Sequence, residues 1–195
     1  MTARPARILT VCTGNICRSP FLERALQAEL DRSWGAGAVE VASAGTGALA
    51  GHGMEAQART RLEAAGYDAS GFVARHLEEG MVADADLVLT ATRAHIGRVT
   101  TLHPRALRRV FAFREFAQLV AAVPVGELDA PADSAREHLV RTVRLAAAER
   151  GMVPSLPAAE ADVVDPYRRE PEVFDAMADQ IRASLPVVVR ALSRP

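Results

Sequence analysis

One stretch, Val11-Cys12-Thr13-Gly14-Asn15-Ile16-Cys17-Arg18-Ser19-Pro20, does most to limit what this chain can become. The apolar run Ile8-Leu9-Thr10-Val11 leads into it, and residues 7–12 read as a short buried strand. A helical pattern leads out: Ser19 is an N-cap type and Pro20 suits a first helical position. Phe21, Leu22, Ala25, Leu26 and Leu30 then recur at helical spacing. A strand that enters a helix through a tight loop is the unit of a parallel α/β sheet. In such sheets ligands bind beyond the carboxyl ends of the strands, where this loop must lie.

The loop's own chemistry points to phosphate. Six residues bent around a point aim several backbone N–H groups inward, and the following helix adds its positive end. Gly14 and Asn15 tolerate the positive φ such a bend requires. Arg18 brings a planar fork that matches two phosphate oxygens. The same donors favour a thiolate at Cys12, and Ser19 is placed to give that sulfur a hydrogen bond. A thiolate beneath a bound phosphoryl group is a nucleophile, and its product is a cysteinyl-phosphate. A bare Cys-x5-Arg pattern is common by chance; its position between a strand and a helix start makes this one specific.

The remainder alternates in the same way. Residues 39–47 form a second strand ending in a Gly-rich loop, 86–92 a third and 109–113 a fourth. Helices are expected at 54–65, 92–101, 115–122 and 171–192, the last bent or interrupted at Pro186. Strands alternating with helices imply parallel pairing, hence an α/β sandwich. Residues 123–161 differ: Pro124, Pro131, Pro154 and Pro157 surround one clear amphipathic helix, about 133–150, which reads as an insertion within a single domain spanning 1–195.

Composition excludes more than it proposes. A net charge of −1 gives no global case for nucleic acid or an anionic membrane. No apolar run is long enough to span a membrane, and the one after the basic N-terminus is too short for a signal peptide, so a cytoplasmic protein is expected. The two cysteines share one loop and form no disulfide framework. His52, His76, His95, His103 and His138 are scattered without metal-pair spacing and read as surface or capping residues; no metal or cofactor is expected. Asp84 and Asp86 read as solvated. Arg105, Arg108 and Arg109 read as a solvated basic face. Asp165-Pro166-Tyr167 is by its residues alone a turn.

Three motifs in order carry a resemblance. Cys12 to Pro20, Ser43-Ala44-Gly45-Thr46 and Asp165-Pro166-Tyr167 together resemble the markers of the low molecular weight protein tyrosine phosphatases, over residues 7–116 and 162–192. The resemblance implies a three-layer α/β sandwich on a four-stranded parallel sheet, phosphatase I-like, plus the inserted helix. It implies Cys12 as nucleophile, Arg18 as phosphate clamp and Asp165 as general acid, then base. Thr13, Gly14, Asn15, Ile16, Cys17 and Ser19 would surround the phosphoryl group, with Leu49 and Tyr167 as walls of the aryl pocket. Asn15, Ser19 and Ser43 would brace the loop, and Cys17 would protect Cys12 through a reversible disulfide. The substrate implied is a phosphotyrosine protein, with a bacterial tyrosine kinase as one candidate.

The chain departs from the family pattern at three places. Phe72 stands where many members carry a histidine of the loop network, Leu49 where an aromatic often packs on the substrate, and the 123–161 insertion precedes the acid. Two other classes stay open on the sequence: a small-thiol-coupled arsenate reductase on the same fold, and a non-catalytic phosphotyrosine-binding module.

Overall fold

Alternation along the first strand divides the core in two. In the computed structural model, which describes residues 4–195 (Ala158 by backbone only), β1 spans Ala6–Cys12. Residues 1–3 of the basic N-terminal stretch lie outside the described part. Ile8 points into one apolar cluster, Leu9 and Val11 into the other, as the period of two in a strand buried on both faces requires. Strands β2 (Val39–Gly45), β3 (Leu87–Thr90) and β4 (Val110–Ala112) complete a four-stranded sheet, all parallel, in the order β2-β1-β3-β4. The register sets Cys12 beside Gly45 and Val11 beside Thr90, so the loops that follow β1, β2 and β3 converge at one edge.

The larger face is covered by α1 (Arg18–Trp34), α2 (Ala56–Ala64), α5 (Phe113–Ala122), α7 (Ala135–Ala148) and α9 (Pro171–Leu192). Phe21, Phe111, Phe113, Phe116 and Phe174 are sealed within that layer. The smaller face carries α3 (Glu79–Asp84), α4 (Arg93–Leu102) and a 3-10 turn at Pro104–Arg109. Short helices α6 (Val125–Leu128) and α8 (Ala158–Ala161) flank α7.

Several expectations shift. Helix α3 lies in a stretch that carries no strong periodic signal. Pro186 does not interrupt α9, which runs through it to Leu192. Helix α1 begins at Arg18, with Cys17 and not Ser19 in the cap position, because the Ser19 hydroxyl is engaged elsewhere. Asp86 is not solvated: its carboxylate accepts from the Arg7 N–H at 3.0 Å and pairs with Arg136 at 3.0 Å, tying α7 to the sheet. His138 is not a surface residue. Its buried Nε2–H donates to the Ala191 carbonyl at 2.9 Å, Thr142 donates to the same oxygen, and Trp34 Nε1–H donates to the Leu192 carbonyl. The last carbonyls of a helix have no partners of their own; α7 and Trp34 supply them here.

Candidate active site

Backbone geometry comes first. The carbonyls of Cys12, Thr13 and Gly14 accept from the N–H groups of Thr46, Gly47 and Leu49 at 2.9–3.0 Å, and that of Ile16 from Glu55 N–H at 2.8 Å. The loop after β2 thus lies against the loop after β1 and engages its oxygens. Across a trans peptide the next N–H points the opposite way. The N–H groups of Thr13, Gly14, Asn15 and Cys17 therefore turn toward the concave side, and that of Asn15 reaches Cys12 Sγ at 3.3 Å. Close approach of the two loops requires glycine at position 45: a Cβ there would lie 2.4 Å from the Thr13 carbonyl. Asn15 holds the positive φ, 54°, while Gly14 does not need one.

Side chains then fix the loop. Asn15 Nδ2 donates both its hydrogens, to Ser19 Oγ at 2.9 Å and to Ser43 Oγ at 2.8 Å, and its Oδ1 accepts the Arg75 N–H at 2.9 Å. The Ser43 hydroxyl in turn donates a hydrogen bond to the Glu23 carboxylate. Ser19 Oγ accepts from Asn15 and lies 3.0 Å from Cys12 Sγ, where its hydroxyl hydrogen is available to a thiolate, which can only accept. With Cys12 as thiolate, the hydrogen-bond directions run from Asn15 through Ser19 to the sulfur. Burial pushes the Glu23 carboxyl upward, and its bond from Ser43 opposes that. Cys17 is buried at the loop's base. Burial pushes its thiol strongly upward, and the neighbouring Cys12 adds to this.

Arg18 is the first residue of α1 and is almost sealed, yet its guanidinium meets the Asp165 carboxylate at 2.7 Å and the Val163 carbonyl at 3.4 Å. The segment that leads into Asp165 is anchored at three successive residues. Arg93 N–H donates to Asp162 and Val163 N–H to the Ala91 carbonyl, while Val164 N–H reaches Gln180 of α9. A cavity of about 130 Å³ results, lined by Cys12, Thr13, Gly14, Ile16, Cys17, Arg18, Gly47, Leu49, Asp165 and Tyr167. Asn15, Ser19 and Ser43 sit behind its wall, within the network. No residue of 123–161 lines it, and no cluster of three or more metal-ligating side chains occurs among the described residues.

Three neighbours of the loop escape sequence reasoning. Glu23 looks like an ordinary polar position of α1, and Arg75 like an ordinary charged residue of a connector. His95 was expected at the surface or as a cap, but it is buried. Its Nε2 meets Thr13 Oγ1 at 2.9 Å and its Nδ1 meets Thr92 Oγ1 at 2.7 Å. Burial, then the nearby Arg18 charge, lowers it to about 4, so it is neutral at pH 7. Phe72 lies in the core beneath the Arg24 guanidinium, 5.9 Å from its ring centre. Glu23 accepts from Ser43 and the Arg75 backbone N–H donates to Asn15, so neither bond uses position 72.

Comparisons with known proteins agree with this geometry. Residues 7–151 match the family described as low molecular weight phosphotyrosine protein phosphatase. The chain is 34% identical over 136 residues to the probable low molecular weight protein-tyrosine-phosphatase EpsP of Ralstonia nicotianae, covering 70% of this chain and 90% of that one. It is 36% identical over 109 residues to the phosphatase Etp of Escherichia coli K12, covering 56% and 70%. Among solved structures, the tyrosine phosphatase AmsI of Erwinia amylovora superposes with a TM-score of 0.69 at 25% identity, over 97% and 95% of the two chains. The YwlE arginine phosphatase of Geobacillus stearothermophilus superposes at 0.66 and 23%, over 95% and 91%, a likeness of fold alone. Strand order, loop geometry and sequence agree: the chain belongs to the low molecular weight phosphotyrosine protein phosphatase family and is a phosphatase of that family.

Proposed function

We propose that this protein hydrolyses phosphotyrosine in proteins through a phosphocysteine on Cys12. The observation that carries the reading is the placement of Cys12, Arg18 and Asp165 around one cavity, with Asp165 on Arg18 at 2.7 Å. The phosphoryl oxygens lie on the inward N–H groups and the Arg18 fork, and the positive end of α1 faces the same charge. The Cys12 thiolate attacks phosphorus and the bond to the phenolic oxygen breaks. An incoming phosphate competes with the Asp165 carboxylate for the guanidinium; released beside the anion, the half-exposed carboxylate takes a proton from solvent and, as a carboxylic acid, gives it to the leaving phenolic oxygen. The Asp165 carboxylate then accepts a proton from water, whose oxygen attacks phosphorus. The phosphorus–sulfur bond breaks, inorganic phosphate leaves, and the thiolate returns.

The cavity walls favour an aryl substrate. Ile16, Leu49 and the half-exposed Tyr167 offer apolar faces for a ring. Asn15, Ser19 and Ser43 act as positioning residues and Cys17 as redox partner of Cys12. Relatives at about 35% identity bear tyrosine-phosphatase names, in support of the same substrate class. The test is hydrolysis of p-nitrophenyl phosphate, a phosphotyrosine peptide and a phosphoarginine peptide, with acid-quench trapping of labelled phosphoenzyme. Cys12→Ser and Arg18→Ala should abolish turnover of the aryl phosphates. An active Cys12→Ser, or faster release from phosphoarginine than from phosphotyrosine, overturns the reading.

A further inference from the structure

Helix α7 borders a groove at the opposite edge of the sheet from the active site. Helix α7, the 3-10 turn at Pro104–Arg109 and the end of α3 enclose a groove of about 550 Å³. Arg105, Arg108, Arg109, Arg136 and Arg144 line it, with Val140 and Val143. Only Asp84 and Asp86 bring carboxylates among the lining residues, and both are engaged: Asp84 by Arg7 at 3.2 Å, Asp86 by Arg136 at 3.0 Å. Arg105, Arg108 and Arg144 are exposed and have no carboxylate from the groove left to them. A second concavity of about 570 Å³ adjoins it, sharing the row Arg136, Val140 and Arg144 along α7 and adding Arg141. Its one acid, Glu137, accepts the Asp133 N–H. A chain with net charge −1 has thus gathered guanidinium groups without a carboxylate partner where α7 meets the 3-10 turn.

We infer that this Arg105–Arg108–Arg144 groove docks an extended acidic segment of a partner protein. A guanidinium fork matches a carboxylate in two-point fashion, and an array of them along a row selects an extended chain of carboxylates over a single compact anion. Arg105 and Arg108 on the turn and Arg144 on α7 line one groove, so successive carboxylates of a single extended segment meet guanidinium groups from two elements. Val140 and Val143 give the stems of such side chains an apolar floor. No aromatic ring lines either concavity, so a nucleic acid base finds nothing to stack on. A concave surface fits a strand-like segment better than a flat bilayer, although the exposed Leu107 beside Arg108 makes vesicles a necessary control. The groove shares no residue with the catalytic cavity.

Fluorescence anisotropy with a labelled octaglutamate peptide tests this. The full chain should bind it saturably, and more weakly as salt rises. The triple variant Arg105→Glu, Arg108→Glu, Arg144→Glu should weaken binding by about tenfold or more. A charge-matched control, Arg59→Glu, Arg98→Glu, Arg182→Glu, should bind within about twofold of the parent. Hydrolysis of p-nitrophenyl phosphate should be unchanged in both triples. Equal loss in the two triples reveals diffuse charge attraction and overturns the assignment. So does tighter binding of phosphatidylglycerol vesicles or of an oligo-dT octamer than of octaglutamate, abolished by the groove variant.

Discussion

Arg18 and Asp165 meet as an ion pair at 2.7 Å, the arginine side chain 5% exposed and the aspartate 53%. The asymmetry divides the roles. Arg18 is fixed by burial and by the Val163 carbonyl, whereas Asp165 is held mainly by Arg18 and is free to leave it. Its other contact is an acceptor bond from Tyr167 N–H at 3.2 Å, within its own loop.

Asp165→Asn should therefore spare binding and slow the step that needs a proton. For phenyl phosphate, whose leaving group is poor, kcat should fall by about a hundredfold or more. For p-nitrophenyl phosphate, whose leaving group departs readily as the anion, the loss should be much smaller. Steady-state kinetics on the two esters decide it, and equal losses would remove Asp165 from the acid role.

Gly45 and Thr13 give a steric prediction. The missing Cβ at Gly45 would lie 2.4 Å from the Thr13 carbonyl and 2.9 Å from the Ala48 Cβ, so Gly45→Ala must push the two loops apart. A cost of about 1–3 kcal/mol is expected in urea unfolding, with a fall in kcat, because the Thr46 and Gly47 bonds to the phosphate loop stretch. Gly47→Ala is the control: its Cβ would be 3.8 Å from Thr13, ordinary contact, and stability should hold.

How much of this was readable in the chain depends on where the partners lie. Cys12 to Pro20 is contiguous, so strand, loop and helix signals reinforce one another, and the sheet followed from the four apolar runs. Ser19 misled as an N-cap because a hydroxyl suits a cap and a nucleophile's partner equally; only the position of Asn15 decides between them. Asp165 by itself read as a turn and gained its role from resemblance. Glu23 meets Ser43, Arg75 meets Asn15 and His95 meets Thr13, each across a long separation. Hydrophobic periodicity reports which face is buried, not which polar group meets another there. His95 and His138 were misplaced for that reason: on helices α4 and α7 they lie on inward faces, with their ring nitrogens satisfied by groups from other elements or an adjacent turn.

His95 predicts a pH dependence. Buried and neutral, it holds a proton less readily than in the unfolded chain, about 4 against an ordinary 6.5. The unfolded state therefore binds more protons between those values, and stability falls as pH drops from 6.5 toward 4. The contribution, fully present above pH 6.5, is at most about 3 kcal/mol. Urea unfolding at pH 7.0 and pH 4.5 should show a larger drop for the parent than for His95→Gln, which has no titrating ring. His138, lowered in the same direction by burial, stays in both proteins and cancels in the comparison. Parallel pH profiles for parent and variant would show that His95 does not titrate in this way.

Helix α7 separates stability from chemistry. Leu139 and Val143 of α7 are buried in the main cluster, and His138 and Thr142 reach the Ala191 carbonyl at the end of α9. Leu139→Ala should cost about 2–5 kcal/mol through lost burial and the space left behind. His138→Leu at pH 7 keeps an apolar side chain of similar reach but leaves the Ala191 carbonyl to Thr142 alone, for about 1–3 kcal/mol. Because no residue of 123–161 lines the catalytic cavity, kcat for p-nitrophenyl phosphate, measured well below the unfolding transition, should stay within about twofold of the parent in both. A fall in kcat at full folding would mean that α7 reaches the phosphate loop through α5 or α9. The place to look would then be Val163, which joins the main cluster while its carbonyl accepts from Arg18.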